Sequence, residues 1–130
     1  MEFLAVTEND HQFLFDLMLE RDDTVNISHH MPTYDEHVEF CNSNPYPHRY
    51  IVWAGDDRVG TCYVTERREI GIFVAKKFQG MGYGERILKW LLAMFNGEKL
   101  YANINPLNDR SKKLFKKNKF RLIQETYTRP

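Results

Sequence analysis

The stretch "AKKFQGMGYGERIL" carries three glycines at alternate positions, Gly80, Gly82 and Gly84, with Gln79 leading them. It connects a predicted strand, Glu69–Ala75, to an amphipathic run that is typical of a helix. Glycine destabilises regular structure, so this loop either makes a sharp bend or brings bare backbone close to a ligand. The start of a helix offers unpaired N–H groups and a partial positive charge. If the loop binds a ligand, we therefore expect main-chain amides to hold a phosphate group.

The loop differs from the two commonest phosphate-binding loops. A Walker A loop needs Gly-Lys-Ser/Thr where the helix begins, and this chain has Gly84-Glu85-Arg86. A dinucleotide-binding loop needs the spacing G-x-G-x-x-G and an acidic residue further along, and neither condition holds. The sequence therefore argues against a P-loop and against a dinucleotide-binding site.

The composition is that of one globular domain over residues 1–130. The formal net charge is zero, from 18 basic and 18 acidic residues, so we expect neither nucleic acid nor a membrane surface as partner. Cys41 and Cys62 provide neither a disulfide framework nor metal-ligand spacing, so we expect no metal. The start of the chain does not read as a signal peptide, and no apolar run is long enough to span a membrane. We therefore expect a cytoplasmic location.

The pattern of apolar residues predicts a mixed α/β domain with the order β-α-α-β-β-β-α-β-α-β. Thr7 is a predicted N-cap for the first helix, and Thr33 with Glu36 forms a capping-box pattern for the second, which runs through Phe40. The third helix carries an apolar stripe and ends near Asn96-Gly97, and the fourth is basic. The predicted strands are EFLAV, HRYIVWAG, RVGTCYVTER, EIGIFVA, KLYANIN and FRLIQETY.

Two motifs in this order resemble the signatures of the GNAT superfamily of acyl-CoA-dependent N-acyltransferases. The loop Gln79–Gly84 matches the pattern Q/R-x-x-G-x-G/A. The later stretch "NPLNDRSKKLFKKNKF" resembles the second signature, N-x-x-S-x-x-L-Y/F-x-K-x-G-F, although Lys119 stands where that signature has glycine. The matching residues are Asn108, Ser111, Leu114, Phe115, Lys117 and Phe120. The resemblance implies a GNAT fold with a central splayed strand.

The resemblance also implies a site for acetyl-CoA, the acyl donor. In that family the glycine loop holds the pyrophosphate of coenzyme A, the central strand offers main-chain groups to the pantetheine arm, and the second signature lies near the thioester. The corresponding residues here are Ile72, Phe73, Val74, Gln79, Gly80, Met81, Gly82, Tyr83, Gly84, Asn108, Ser111 and Phe115.

The catalytic pattern of the family is only partly present. Phe115 stands where a tyrosine commonly protonates the leaving thiolate, and Asn103 stands where some relatives carry a glutamate as base. Glu69 is the best remaining carboxylate for deprotonating an amine, either directly or through water. The alternative is that Glu69 is an exposed strand end beside Arg67 and Arg68.

Residues before the hairpin are candidates for the acceptor side. His29 and His30 lie in a segment that lines the acceptor site in this superfamily, and His30 is a weaker candidate base. The alternative is a pair of surface histidines. Tyr63 is interpreted as a core aromatic rather than as a residue that contacts substrate.

The implied function is transfer of an acetyl group from acetyl-CoA to a primary amine of a small molecule. Element lengths and the helix residues Glu36, His37 and Phe40 resemble relatives that acetylate nucleotide-linked amino sugars. One alternative is acetylation of a protein N-terminus or lysine. Another, suggested by Phe115 and Asn103, is a non-catalytic acyl-CoA-binding module. A short carboxyl end would leave a sheet edge open, and a homodimer is predicted to cover it.

Overall fold

The strands and helices follow the predicted order as far as the fourth helix. The computed structural model describes residues 1–21, 31–44 and 46–130. Within these ranges the strands are β1 (Glu2–Ala5), β2 (His48–Ala54), β3 (Asp57–Val64), β4 (Glu69–Val74) and β5 (Tyr101–Ala102). The helices are α1 (His11–Leu19), α2 (Tyr34–Asn42), α3 (Tyr83–Met94) and α4 (Asp109–Lys117), and short 3-10 turns cover Glu8–Asp10 and Lys76–Phe78.

The strands form one mixed sheet in the order β1-β2-β3-β4-β5. Strands β1 to β4 are antiparallel to their neighbours, whereas β5 runs parallel to β4 because α3 carries the chain back across the sheet. Helix α2 begins at the predicted capping box, in which Thr33 Oγ1 accepts from the Glu36 N–H at 3.2 Å. The predicted fold class is confirmed.

Helix α3 packs its predicted apolar stripe against this sheet. Ile87, Leu88 and Leu91 have no exposed surface, and Phe95 is buried at the end of the helix. They join buried side chains of β2, β3 and β4 in one cluster, which also includes Phe115 of α4. Each aliphatic side chain buried in this way stabilises the fold by about 1.5–3 kcal/mol. The packing fixes the start of α3, and hence the glycine loop, against the carboxyl end of β4.

Strands β4 and β5 are paired over a short length only. Their register joins Glu69 to Tyr101 and Ile70 to Ala102, and the pairing stops there, whereas β3 stays paired with β4 as far as Val74. Beyond Ile70 the two strands diverge and leave a gap along one edge of β4. This is the splayed central strand that the resemblance implies.

The predicted last strand, FRLIQETY, is wrong. Residues 118–130 contain no helix or strand, and Leu122, Ile123 and Tyr127 are 74%, 67% and 85% exposed. The physical reason is that β5 comprises only Tyr101–Ala102, so it offers too short an edge for another strand.

The homodimer stays a prediction. Among the described residues, no helix combines the length and apolar character needed to cross a bilayer.

Candidate functional site

A cavity of about 700 Å³ follows the gap between β4 and β5. Its walls are the outer edge of β4, the glycine loop, the start of α4, the end of α1 and the aromatic residues Tyr46 and Tyr63. Most of the residues proposed from sequence line it: Glu69, Ile72, Phe73, Val74, Gln79, Gly80, Gly82, Tyr83, Gly84, Asn108, Ser111 and Phe115. Met81 does not line the cavity, and its side chain is 62% exposed.

Two of the three loop glycines are required by the backbone. Gly80 and Gly82 have φ angles of 80° and 83°, and a Cβ at either position would meet no atom within 4 Å. Their role is therefore the left-handed conformation itself, which a side chain disfavours even in open space. Gly82 is the N-cap of α3, and its carbonyl accepts from the Arg86 N–H at 3.2 Å. The loop thus turns directly into a helix N-terminus at the cavity wall.

The side chain of Gln79 supports the glycine loop. Its Nε2 donates to the Val74 carbonyl at 3.0 Å, and its Oε1 accepts from Nη1 of Arg110 in α4. One side chain therefore ties the loop to the end of β4 and to the start of α4. The leading glutamine of the motif has a positioning role here, apart from any contact of its amide with a ligand.

The open edge of β4 offers main-chain groups to the cavity. Glu69 and Ala75 form main-chain hydrogen bonds with β3 and the turn that follows it. Because the bonding direction alternates along an antiparallel strand, the N–H and C=O groups of Ile72 and Val74 point into the gap. The main chain of Phe73 points towards β3 instead, so this residue contributes its ring to the cavity rather than the main-chain groups expected from the resemblance.

The start of α4 forms the opposite wall of the cavity. Asn108 caps this helix, because its Oδ1 accepts from the Ser111 N–H at 3.1 Å. Phe115 is 7% exposed and packs edge-on against Phe120 at a centroid distance of 5.0 Å. Phe115 is therefore an apolar part of the wall. Lys119, which stands where the signature has glycine, takes the left-handed conformation with φ 69°.

The candidate base Glu69 meets Asn103 across β4 and β5. Asn103 Nδ2 donates to Oε2 of Glu69, and the Glu69 main-chain N–H donates to Thr65 Oγ1 at 3.0 Å. Glu69 is half-buried and lines the cavity, so it is more than an exposed strand end. Asn103 orients its carboxylate. His30 and His29 lie outside the described residues.

Tyr63, which the sequence suggested as a core aromatic, lines the cavity. Its ring lies over Gly71, where an added Cβ would come within 2.1 Å of Tyr63 Cζ, and it stacks on Tyr46 at 3.9 Å with an interplanar angle of 3°. Burial raises the pKa of the Tyr63 phenol, which keeps it protonated and able to donate a hydrogen bond. The available signal was Gly71 in the middle of an apolar strand, since such a glycine marks close approach by another group.

Arg21, which follows α1, lies at the same end of the cavity. Its guanidinium carbon is 3.7 Å from the centroid of the Phe73 ring. Within residues 1–21, 31–44 and 46–130, no group of three His, Cys, Asp or Glu side chains is arranged to hold a metal ion. The groups at this end of the cavity include a carboxylate, a phenol, main-chain amides and an arginine.

Solved structures with the same fold include several acetyltransferases. An acetyltransferase from Thermus thermophilus aligns with a TM-score of 0.76 at 21% identity, over 95% of this chain and 88% of that one. The spermidine N-acetyltransferase from Vibrio cholerae, in complex with CoA and spermine, aligns with a TM-score of 0.77 at 20% identity, over 89% and 78%. A domain from Methanocaldococcus jannaschii aligns with a TM-score of 0.71 at 22% identity, over 96% and 90%.

Sequence comparisons identify a family for this chain but no similar individual protein among curated sequences. A search of curated protein sequences found no significant match to this chain. The family model described as "Acetyltransferase (GNAT) family" matches residues 12–120, which include the glycine loop and the second motif. The resemblance drawn from those two motifs is confirmed. The chain belongs to the GNAT family and is an acetyl-CoA-dependent N-acetyltransferase.

Proposed function

We propose that the protein acetylates the primary amine of a small molecule, with the acceptor entering the cavity beside Tyr46 and Tyr63. The observation that carries this proposal is the convergence of the open β4 edge, the glycine loop and the Glu69 carboxylate on one cavity. A volume of about 700 Å³ is in the range of small-molecule sites. The Vibrio cholerae spermidine acetyltransferase supports a small amine as the acceptor class.

In the proposed complex, main-chain groups hold the donor. The pyrophosphate lies at the N-terminus of α3, where the loop at Gly80 and Gly82 leaves amides uncovered. The pantetheine arm lies along β4, where the main-chain groups of Ile72 and the N–H of Val74 face the gap, while the Val74 carbonyl accepts from Gln79. The amide groups of the pantetheine arm bond to the edge of β4 in the place that a longer β5 would occupy. This arrangement puts the thioester near Glu69 and Gly71, at the point where the two strands part.

The transfer step needs two proton movements at the thioester. The amine attacks the carbonyl carbon as a neutral nucleophile, so it must first lose a proton, and we assign that proton to Glu69. Edge N–H groups of β4 stabilise the oxyanion of the tetrahedral intermediate. When the C–S bond breaks, the thiolate gains a proton. Phe115 has none to give; we assign to the Tyr63 phenol a hydrogen bond that stabilises the thiolate, which then takes its proton from solvent.

A nucleotide-linked amino sugar is the acceptor that the sequence favours among small amines. Its amine is flanked by electron-withdrawing oxygens and is less basic than a lysine side chain, whose reference pKa is about 10.4. Such an amine needs less help in losing its proton. A site whose base is a single carboxylate oriented by Asn103 suits this requirement.

The test is a turnover assay with matched variants. Purified protein is incubated with acetyl-CoA and one acceptor at a time, and the released CoA thiol is measured. The acceptors are a nucleotide-linked amino sugar, spermidine and a peptide with a free N-terminus and one lysine. Glu69→Gln should lower kcat by roughly 100- to 10,000-fold, the usual contribution of a general base. Glu66→Gln, an exposed carboxylate in the preceding turn, should leave kcat unchanged.

Binding of acetyl-CoA is measured separately, as a shift in the unfolding temperature. At a concentration of about 100 times Kd, a ligand stabilises by roughly 2.7 kcal/mol, which corresponds to a Tm rise on the order of 10 °C. Turnover of the peptide alone would contradict the small-molecule acceptor. A Tm rise without turnover of any acceptor would retain the donor site and place the acceptor outside the three classes tested.

A further inference from the structure

We propose that the acceptor carries an anionic group, a phosphate or a carboxylate, which binds to Arg21. This inference rests on the proposed function and narrows its acceptor class. Arg21 lies at the acceptor end of the cavity, with its guanidinium stacked on the Phe73 ring at 3.7 Å. Phe73 belongs to β4, the strand that holds the donor. A group bound to Arg21 is therefore close to the strand along which the donor is proposed to lie.

Among the described residues, no carboxylate supplies the counter-charge that the guanidinium of Arg21 requires. Its Nε is buried and has no hydrogen-bond partner among the described residues. Burial lowers the pKa of Arg21, although an arginine side chain remains charged near neutral pH. A buried, unpaired cation is costly, so its retention at a cavity wall indicates an anion supplied by the ligand.

Three carboxylates line the same cavity: Asp109 lies in the first turn of α4, on the opposite wall, and the other two are engaged elsewhere. Glu20 Oε1 accepts from the Lys76 main-chain N–H at 3.0 Å, at the mouth of the glycine loop. Glu69 Oε2 accepts from Asn103, across β5. Neither of them neutralises Arg21. The acceptor end of the cavity is thus cationic, although the chain as a whole has a formal net charge of zero.

A second arginine strengthens the positive field at this end. The Arg49 guanidinium carbon lies 5.3 Å from the centroid of Tyr46, whose ring also stacks on Tyr63. Nε of Arg49 is also buried without a hydrogen-bond partner among the described residues, while its Nη1 contacts Cys41 Sγ at 3.6 Å. Two arginines therefore border the tyrosine pair.

The chemistry of this arrangement favours an anion over a polycation. A guanidinium that stacks on a ring keeps its N–H donors free in its own plane, where they match two oxygens of a phosphate or a carboxylate. A polyamine such as the spermine bound by the Vibrio cholerae enzyme would bring like charge towards Arg21 and Arg49. The fold is shared with that enzyme, whereas the charge at the acceptor end points to another substrate class.

The experiment compares acceptors that differ by a single charged group. One pair is glucosamine and glucosamine 6-phosphate, and the other is 1,5-diaminopentane and lysine, which adds a carboxylate. With the parent protein, kcat/KM should be about 10- to 100-fold higher for the anionic member of at least one pair, the value of one charge-assisted contact. The phosphate pair and the carboxylate pair together identify which anion is bound.

Variants at Arg21 test the residue itself. Arg21→Met roughly keeps the size of the side chain and removes its charge. It should lower the ratio of kcat/KM between the anionic and the uncharged acceptor by about 10- to 100-fold. Arg21→Lys should recover only part of that ratio, because an ammonium group has no planar fork. Arg67→Met, which removes an exposed arginine, should leave the ratio unchanged.

A binding titration separates this inference from the proposed function. Glucosamine 6-phosphate and lysine are titrated into the CoA-loaded protein, and affinity is measured by calorimetry for the parent and Arg21→Met. Weaker binding to the variant without turnover of any acceptor would retain the anion site and reject the proposed reaction. Preference of the parent protein for spermidine or for the uncharged members, or an unchanged ratio in Arg21→Met, would overturn the anion site.

Discussion

The end of α4 allows one stability prediction to be worked out in detail. Lys119 has φ 69°, in the left-handed region. Its N–H donates to the Lys116 carbonyl at 3.0 Å, and the Phe120 N–H donates to the Phe115 carbonyl at 2.9 Å. These two bonds, together with the Phe115–Phe120 ring contact at 5.0 Å, form a Schellman motif with lysine in the position that usually holds glycine.

We predict that Lys119→Gly stabilises the protein. A non-glycine residue in the left-handed conformation costs about 1–2 kcal/mol. Glycine loses more backbone entropy on folding, which offsets roughly 0.5–1 kcal/mol of this gain. The net gain in free energy of unfolding should be about 0.5–1 kcal/mol. In a chain of this size, such a gain corresponds to a Tm rise of roughly 2–5 °C. Thermal unfolding followed by circular dichroism measures it.

The matched control is Lys113→Gly, the same substitution within the same helix. Lys113 lies inside α4, where glycine costs about 1 kcal/mol relative to a good helix former. The two variants should therefore shift Tm in opposite directions. A Tm for Lys119→Gly at or below that of the parent, alongside the expected loss in Lys113→Gly, would refute the assignment of strain to residue 119. Acetyl-transfer activity should be unchanged in Lys119→Gly, because Lys119 does not line the cavity.

Two further predictions concern the sheet and the region behind the acceptor end. Gly60→Ala should destabilise by about 1–3 kcal/mol, since its Cβ would come within 2.4 Å of the Phe73 carbonyl oxygen; an unchanged urea midpoint would contradict this close approach. Burial, and then the charge of Arg49, lower the pKa of His37, so the folded state disfavours its protonated form. Stability should therefore fall as pH drops through the unfolded-state value of about 6.5 and level off below the folded-state pKa. His37→Gln should lose less stability than the parent does when the pH is lowered from about 7.5 to about 5.5, and equal losses in urea melts at the two pH values would count against the shift.

Local patterns predicted the donor side of the site well. The glycine spacing and the second motif are each contained within a short stretch of chain, and both line the cavity together with β4. The apolar stripe of α3 predicted its buried face for the same reason, because a helix repeats its contacts within a few residues. These features depend on neighbours in sequence, so the sequence alone indicated them.

The acceptor side depends on contacts between distant residues, and the sequence did not predict it. Arg21 stacks on Phe73, which is remote in the chain, and Tyr63 covers Gly71 through the register of β3 and β4. No local pattern marks such pairs before the strands are aligned. The prediction of the last strand failed for a related reason. Its residues have strand-forming character, but a strand needs an edge to pair with, and β5 provides only two residues.

The short pairing of β4 with β5 also divides the molecule into parts of unequal local stability. Strands β1 to β4 are joined by long ladders, whereas β5 pairs with β4 through two residues only. Helix α4 is held by side-chain contacts, which include the Glu85–Lys117 ion pair at 2.8 Å, the Gln79–Arg110 hydrogen bond and the packing of Leu114 and Phe115 on the core. In terms of amide hydrogen exchange, β5 and α4 should open together at a lower free energy than β2 and β3. A donor lying in the gap bonds to both sides, so its binding should slow exchange on α4 as well as on β4. Loading with acetyl-CoA would thereby merge two cooperative units into one.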